Sequence, residues 1–354
     1  ASPAALLNHL SEWTLRTNAT FGIFGVSKSL RLDKAWIPLQ AIVRDDTLHP
    51  VDLKAAVLAY QSWHDQSYST DAMIVDPETL GRFIKLVVLV AGPGMGKTTL
   101  LSRIAHRYAA DGTPVLRVRL SMVAARMRSG STFEEAIFAL GLDGSSISPS
   151  SAISAAVRNW VVLCDGLDET GTSQADIAAA AERFAEGHPD CRVIVTTRPV
   201  GYHASNLRNW RHYDIMPLKS SAAPAHLALL LSEIGGEGSD LERAALTIAT
   251  AELQEETAAT VVSRSPLLLA LGASVIARGG LLGASRLRLY ERLFALVDDA
   301  PNMRIPDPPA QPVILRCFLD ALAWQVVADP IAPVDAILKR CAHTLVEEAG
   351  LKPL

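Results

Sequence analysis

Aromatic residues are scarce in this chain: Phe, Tyr and Trp make up 6% of its 354 residues, so the core has to be built from aliphatic side chains. Cysteine is sparser still, at four residues. Cys164, Cys191, Cys317 and Cys341 form neither a C-x-x-C pair nor a metal-ligand cluster, which argues against a disulfide scaffold or zinc module and for free thiols in a reducing cytoplasm. No charge of one sign dominates, with 33 Lys and Arg against 37 Asp and Glu and a net of −4. That balance carries no nucleic-acid footprint. Long apolar runs are missing too, although the mean hydropathy is +0.21. The longest stretch, 265–277, is closed by Arg264 and Arg278 and falls short of the ~18–20 residues of a membrane span. No signal-peptide pattern opens the chain; lacking Met at position 1, Ala1 is expected to begin a processed or excised fragment. The expectation is a cytoplasmic protein with no membrane partner and room for two or three domains.

What is present is pattern. Leu6, Leu7, Leu10 and Trp13 recur at helical spacing over 3–17. Residues 30–41 read as a short strand, placed at a sheet edge by Pro38, and 54–64 as a helix. The apolar run 83–90 reads as a buried parallel strand. Beyond it come a helix over 98–109 closed by Asp111-Gly112, strands over 115–120 and 160–164, a helix over 175–185, a strand over 192–197 and a weaker one over 213–218. Ser131 and Glu134 have the spacing of a capping box opening another helix. This alternation predicts an α/β fold with a parallel, doubly wound sheet. After Lys219 the chain turns to Ala/Leu-rich helices, and prolines at 301, 306, 308, 309 and 312 mark a linker before a helix over 313–327.

Directly after the first apolar strand stands AGPGMGKTT, 91–99, which fits a phosphate-binding loop with Ala91 for its first glycine. Gly92, Gly94 and Gly96 let the loop curl so that backbone N–H groups, those of Pro93's neighbours and Met95 among them, face phosphate oxygens. Lys97 is placed to reach the β- and γ-phosphates, Thr98 to ligate Mg²⁺, and Thr99 continues the helix whose positive end faces the same anion. The cofactors implied are ATP or ADP with Mg²⁺.

A second strand, WVVLCDGLDET over 160–170, carries Asp165 to its C-terminal end, where a carboxylate can hold the Mg²⁺ shell. Asp168 and Glu169 then offer carboxylates to orient or deprotonate a water, and spacing does not choose between them. A third, RVIVTTRP over 192–199, ends in Thr196, Thr197 and Arg198, whose guanidinium could stabilise charge at the γ-phosphate. The remaining histidines, such as His106, read as surface or packing residues. The tryptophans read as packing, and the basic run 117–128 as a solvated face.

Loop, Asp-Gly-Leu-Asp-Glu strand end and Thr-Thr-Arg-Pro strand, in this order, resemble the NACHT family of STAND-class signalling NTPases, relatives of the AAA+ ATPases. Gly166, a small residue straight after the Mg²⁺ aspartate, carries much of that likeness. The likeness extends to 263–277, where Pro266 matches the proline that packs on the base, and to the Arg…Leu-Tyr-Glu segment 285–297. It implies an N-terminal leader (1–80), a P-loop NTPase core (81–220), a helical domain (221–300) and a linker with the start of a winged-helix domain (301–354). The family's late winged-helix histidine has no match; His343 lacks that motif's aromatic surroundings. The resemblance implies a nucleotide-dependent switch that self-associates on activation and drives an attached effector, with effector and sensor domains outside this chain. The upstream segment and the absence of lysine between Lys97 and Lys219 suggest a bacterial source, hence anti-phage defence. The rivals are an AAA+-like remodelling ATPase and a nucleotide-binding scaffold with little turnover.

Overall fold

The computed structural model describes residues 3–43, 73–154, 159–199, 202, 207–236, 239–253, 261–262, 265–282, 291–292, 295, 312–328 and 334–349. The chain divides into two compact units, Ala1–Leu293 and Phe294–Leu354. The expected helix over 54–64, the proline-rich 301–311 and most of 285–297 lie outside the described residues.

In the first unit, α1 (Pro3–Thr17) precedes a two-stranded antiparallel ribbon of β1 (Thr20–Phe21) and β2 (Leu30–Arg31). β3 (Ala41–Val43), β4 (Ile74–Val75) and the short α2 (Leu80–Phe83) lead into β5 (Leu86–Val90). The alternation follows: α3 (Lys97–Ala110), β6 (Val115–Arg119), α4 (Leu120–Arg128), α5 (Phe133–Gly141), α6 (Pro149–Ser154), β7 (Val161–Asp165), α7 (Gln174–Gly187), β8 (Arg192–Thr197) and β9 (Arg211–Ile215).

The seven-stranded sheet runs β4-β3-β9-β5-β8-β7-β6. From β9 to β6 every pairing is parallel, as the alternation requires. The sheet also holds two strands the sequence reading did not place there. β3 and β4 pair antiparallel at the β9 side. The expected strand over 30–41 therefore splits: β2 belongs to the ribbon, β3 to the sheet interior, and Pro38 sits in the coil between them, where its missing N–H disrupts no ladder. Two other boundaries move. Phe83 closes α2 and is 82% exposed, and the last strand spans 211–215, stopping before Pro217.

Central strands are continuous apolar runs because both faces are covered. Val87, Val88, Leu89 and Val90 are all at most 1% exposed. α1 and α3 pack together on the face that Arg117 enters, while α5 packs on Leu116 of the opposite face. The capping box of α5 lies one residue later than expected. Thr132, with ψ 163°, is the N-cap and exchanges hydrogen bonds with Glu135.

Beyond the sheet, α8 (Ala223–Gly235) packs on both α9 (Ser239–Glu252) and α10 (Pro266–Ala277). The second unit contains α11 (Pro312–Ala328) and α12 (Val334–Ala349), joined through Ala321, Ile337 and Cys341. All four cysteines are free, and burial pushes the Cys164 thiol up to about 12, so it stays protonated. No helix among the described residues is long and apolar enough to cross a membrane.

Candidate functional site

Parallel strands bring their C-terminal ends to one edge of the sheet, and three segments converge there. β5 is flanked by β8 and β9, with β7 one strand beyond β8. The loop after β5, Asp165 at the end of β7 and residues 196–198 at the end of β8 thus become neighbours. Ala91 N–H donates to Thr197 O at 3.0 Å, tying the loop to β8 as it leaves the sheet.

The loop over 91–99 curls through two left-handed glycines, Gly94 (φ 72°) and Gly96 (φ 77°), and α3 starts at Lys97 with Gly96 as its N-cap. At Gly94 a side chain is excluded twice over, by the positive φ and by Leu267 Cβ, 2.9 Å from where a Cβ would stand. Met95 is 1% exposed, so its side chain anchors the loop in the core. Lys97 Nζ donates to the carbonyls of Ala91 (2.9 Å) and Gly92 (3.1 Å). Burial above all pulls the Lys97 ammonium below its ordinary pKa of 10.5; Asp168 opposes this, Arg198 adds to it, and Asp165 and Glu169 oppose it further. The charges that act on Lys97 are therefore the very groups expected in the site.

Asp165 is fixed from two sides. Its Oδ2 accepts from Thr98 Oγ1 and its Oδ1 from Thr196 Oγ1, each at 2.7 Å. Thr196 Oγ1 accepts in turn from Gly166 N–H at 3.0 Å. Thr98 and Asp165, the two residues expected to share a cation, are thus in direct contact, with oxygen donors of the hard type that Mg²⁺ takes.

Beyond Gly166 a 3₁₀ turn, Leu167–Ser173, presents the two remaining carboxylates differently. Asp168 accepts from Arg198 N–H at 3.0 Å and pairs with Arg198 Nε at 3.2 Å. Glu169 meets Arg198 Nη2 only at 3.7 Å; its side chain is 51% exposed against 11% for Asp168. The carboxylates are alike in sequence and unlike in setting: Asp168 is closely held by Arg198, whereas Glu169 is half-exposed and only loosely paired with it.

Beside the loop lies an apolar cavity of about 200 Å³. Gly94, Gly96 and Thr99 form one side, Pro266 and Leu267 another, and the ribbon residues Phe21 to Phe24 a third. Pro266 opens α10 after the N-cap Ser265, and Leu267 N–H donates to Gly94 O at 3.1 Å, joining the helix start to the loop itself. Every expected site residue therefore belongs to one continuous region, with Pro93 exposed on the loop between Gly92 and Gly94.

Sequence reasoning missed several contributors. The ribbon wall carries no motif; only the Phe-Gly-Ile-Phe-Gly run, with Gly25 at φ 79°, hints at a tight turn. Glu78, 8% exposed, accepts from Trp36 Nε1 (2.6 Å), Arg103 Nε (3.0 Å) and Arg107 Nη1 (3.0 Å), binding the segment ahead of β5 to α3. Arg117 corrects the reading of 117–128 as one solvated face. Its guanidinium is partly buried and donates to Asn18 Oδ1 (2.7 Å) and to Ser102 Oγ.

Residues 85–229 match the family model described as the NACHT domain. No curated protein matches the chain. Among solved structures, it is similar to AMPPCP-bound DnaA from Aquifex aeolicus, at 14% identity over 87% of this chain and 95% of that one, with a TM-score of 0.39. It is also similar to a point variant of RuvB from Thermotoga maritima, at 13% identity over 86% of each chain and a TM-score of 0.36. A third similar structure is the Aeropyrum pernix Orc1 protein in complex with DNA, at 13% identity over 76% of this chain and 74% of that one, with a TM-score of 0.37.

Proposed function

Taking as premise that residues 85–229 are a NACHT domain, a P-loop NTPase module, we propose that this chain is an ATP/ADP-dependent signalling switch in which slow, regulated hydrolysis controls self-association and an attached effector. The observation that carries this reading is the state of the catalytic corner. Arg198 holds Asp168 through both its backbone N–H and its Nε, while Glu169 has a half-exposed side chain and meets Arg198 only at 3.7 Å. A corner with one carboxylate engaged and one available suits a switch that turns over seldom.

The residues fit a magnesium nucleotide. The Thr98–Asp165 contact offers hard oxygen donors, the left-handed Gly94 and Gly96 give the loop the curl a phosphate cradle needs, and an apolar cavity of about 200 Å³ beside Pro266 would take the base. When bound, ATP supplies the phosphoanhydride and Mg²⁺ neutralises its charge. Lys97, freed from the carbonyls of Ala91 and Gly92, binds the β- and γ-phosphate oxygens. Thr98 and Asp165 hold the cation, with Thr196 fixing the orientation of Asp165. Glu169 orients a water and accepts its proton, and Arg198 stabilises negative charge on the transferred group. Pro266 and Leu267 connect the loop to α10, so occupancy of the site bears directly on the helical segment; a change in these contacts is the differential interaction a switch needs. We further propose the domain limits given above, a winged-helix origin for 301–354, and a bacterial, anti-phage setting.

The test is nucleotide binding and turnover. Lys97→Ala is expected to abolish ADP and ATP binding in equilibrium titration. Glu169→Gln is expected to keep binding but slow hydrolysis by about 10²–10⁴-fold, the usual contribution of a positioned base. Asp168→Asn should slow it less. Normal ATP binding by Lys97→Ala overturns the loop assignment; fast, unstimulated hydrolysis that survives dilution replaces the switch with a steady ATPase.

A further inference from the structure

The ribbon of β1 and β2 is too small to stand alone, since an isolated two-stranded hairpin is marginal in water. It is not part of the sheet either. Besides its buried apolar residues, two polar ties fasten it to Glu233 and Arg278, both of which follow the NACHT match in the chain.

At the base of the ribbon, Glu233 of α8 receives Arg31 three times: Nε to Oε1 at 3.1 Å, Nη2 to Oε2 at 3.2 Å and the backbone N–H to Oε1 at 3.3 Å. Lys28 Nζ adds a bond to the Glu233 carbonyl at 2.6 Å. Glu233 is only 6% exposed, so its charge depends on these partners, and removing one leaves an ill-compensated buried group. At the turn, Arg278, one residue past α10, donates from Nε (3.2 Å) and Nη2 (2.8 Å) to Gly25 O. Gly25 permits that approach: a Cβ there would stand 2.6 Å from Ser274 Oγ.

Between the two ties lie Phe21, Gly22, Ile23 and Phe24, which line the cavity together with Pro266 and Leu267. The lining offers few side-chain hydrogen bonds. Thr99 has a hydroxyl, and the Trp36 indole N–H is already committed to Glu78. A base in this cavity is retained chiefly by apolar contact, and contact lasts only while the wall stays in place.

We propose that Glu233 and Arg278 are positioning residues of the nucleotide site, clamping the 20–31 ribbon at both ends so that it holds the base and sets the rate of nucleotide release. The proposal rests on the reading of this site as a nucleotide site. It adds that a segment ahead of the NACHT match is fastened to residues after it, so that whatever pulls on the ribbon or on α8 and α10 speeds exchange.

The experiment uses the full chain, a fluorescent ADP analogue chased with excess ADP, and the variants Glu233→Gln, Glu233→Asp, Arg278→Ala and the Glu233→Gln/Arg278→Ala pair. Release is expected to quicken by about tenfold in each of Glu233→Gln and Arg278→Ala, the worth of a charged hydrogen bond, with association nearly unchanged. Glu233→Asp should recover part of the slow release. Inorganic pyrophosphate, which engages the loop but has no base, should bind all variants as it binds the parent, and Arg82→Ala, which removes the Arg82–Asp111 surface pair, should leave release unchanged. Unchanged release in both single variants and the pair overturns the clamp. Parallel loss of pyrophosphate binding also overturns it, because the effect is then general rather than at the base. A parent chain that binds pyrophosphate and ADP equally removes the base site on which the clamp depends; one that binds neither removes the nucleotide reading itself.

Discussion

Gly166 illustrates how much chemistry one absent side chain carries. Its backbone is left-handed (φ 76°, ψ 64°), and its N–H braces Thr196, which in turn braces Asp165. A Cβ at this position would stand 3.0 Å from Glu169 Cδ. Gly166→Ala is therefore expected to act twice: a backbone cost of about 1–2 kcal/mol for a left-handed alanine, and displacement of Glu169 from its place beside the turn. Hydrolysis should fall by more than tenfold, a loss of over about 1.4 kcal/mol of barrier lowering, while ADP affinity changes little. Single-turnover hydrolysis set beside equilibrium titration separates the two effects; an equal loss in both would mean that the turn serves binding rather than the water-orienting role proposed for Glu169. At this scale the grouping was largely legible in the sequence: Lys97, Thr98, Asp165 and Arg198, named from motif, lie together at one sheet edge. Glycine, lysine, threonine and aspartate were named by motif because each answers a local demand of the phosphate loop or strand end. The difference between Asp168 and Glu169 was not legible, because it depends on Arg198, some thirty residues on, reaching back more closely to Asp168 than to Glu169.

Elements were legible where their causes are local and blurred where they are not. α5 is the clearest case. Thr132 accepts from Glu135 N–H at 3.2 Å while Glu135 returns a bond to Thr132 N–H at 2.8 Å, and that box holds the Glu135 carboxyl below its usual range. Thr132→Ala is expected to cost about 1 kcal/mol, seen as a fall of about 2 °C in the thermal midpoint, with ADP affinity unaltered; a drop in affinity would place α5 in the nucleotide site after all. The box was read one residue early because Ser131 and Glu134 satisfy the same spacing, and only backbone conformation decides between them. The ribbon and β3 blurred for the opposite reason. Residues 30–41 are apolar enough for a strand, but β2 finds its partner in β1 and β3 finds its own in β9, some 170 residues along the chain. Periodicity reports which face is buried and is silent on what buries it.

At the scale of the whole molecule, three separate stretches of chain meet at one small volume. The phosphate loop and strand ends come from the sheet, the ribbon from residues ahead of it, and α8 and α10 from residues after it. A ligand that bridges all three should stabilise Ala1–Leu293 as a body, since anything that binds the folded state alone adds RT ln(1 + [L]/Kd), about 2.7 kcal/mol at a hundredfold excess over Kd. For a unit of this size that amounts to roughly 3–8 °C in its unfolding midpoint. The second unit has its own small core around Ala321, Ile337 and Cys341. Scanning calorimetry of the full chain with and without Mg·ADP is therefore expected to raise the main transition, and Lys97→Ala to abolish the rise. Glu233→Gln should show a smaller rise than the parent at equal ADP, because faster release at unchanged association is weaker binding. A parent-sized rise in Glu233→Gln would separate the ribbon from the nucleotide and leave the loop and α10 to hold it alone.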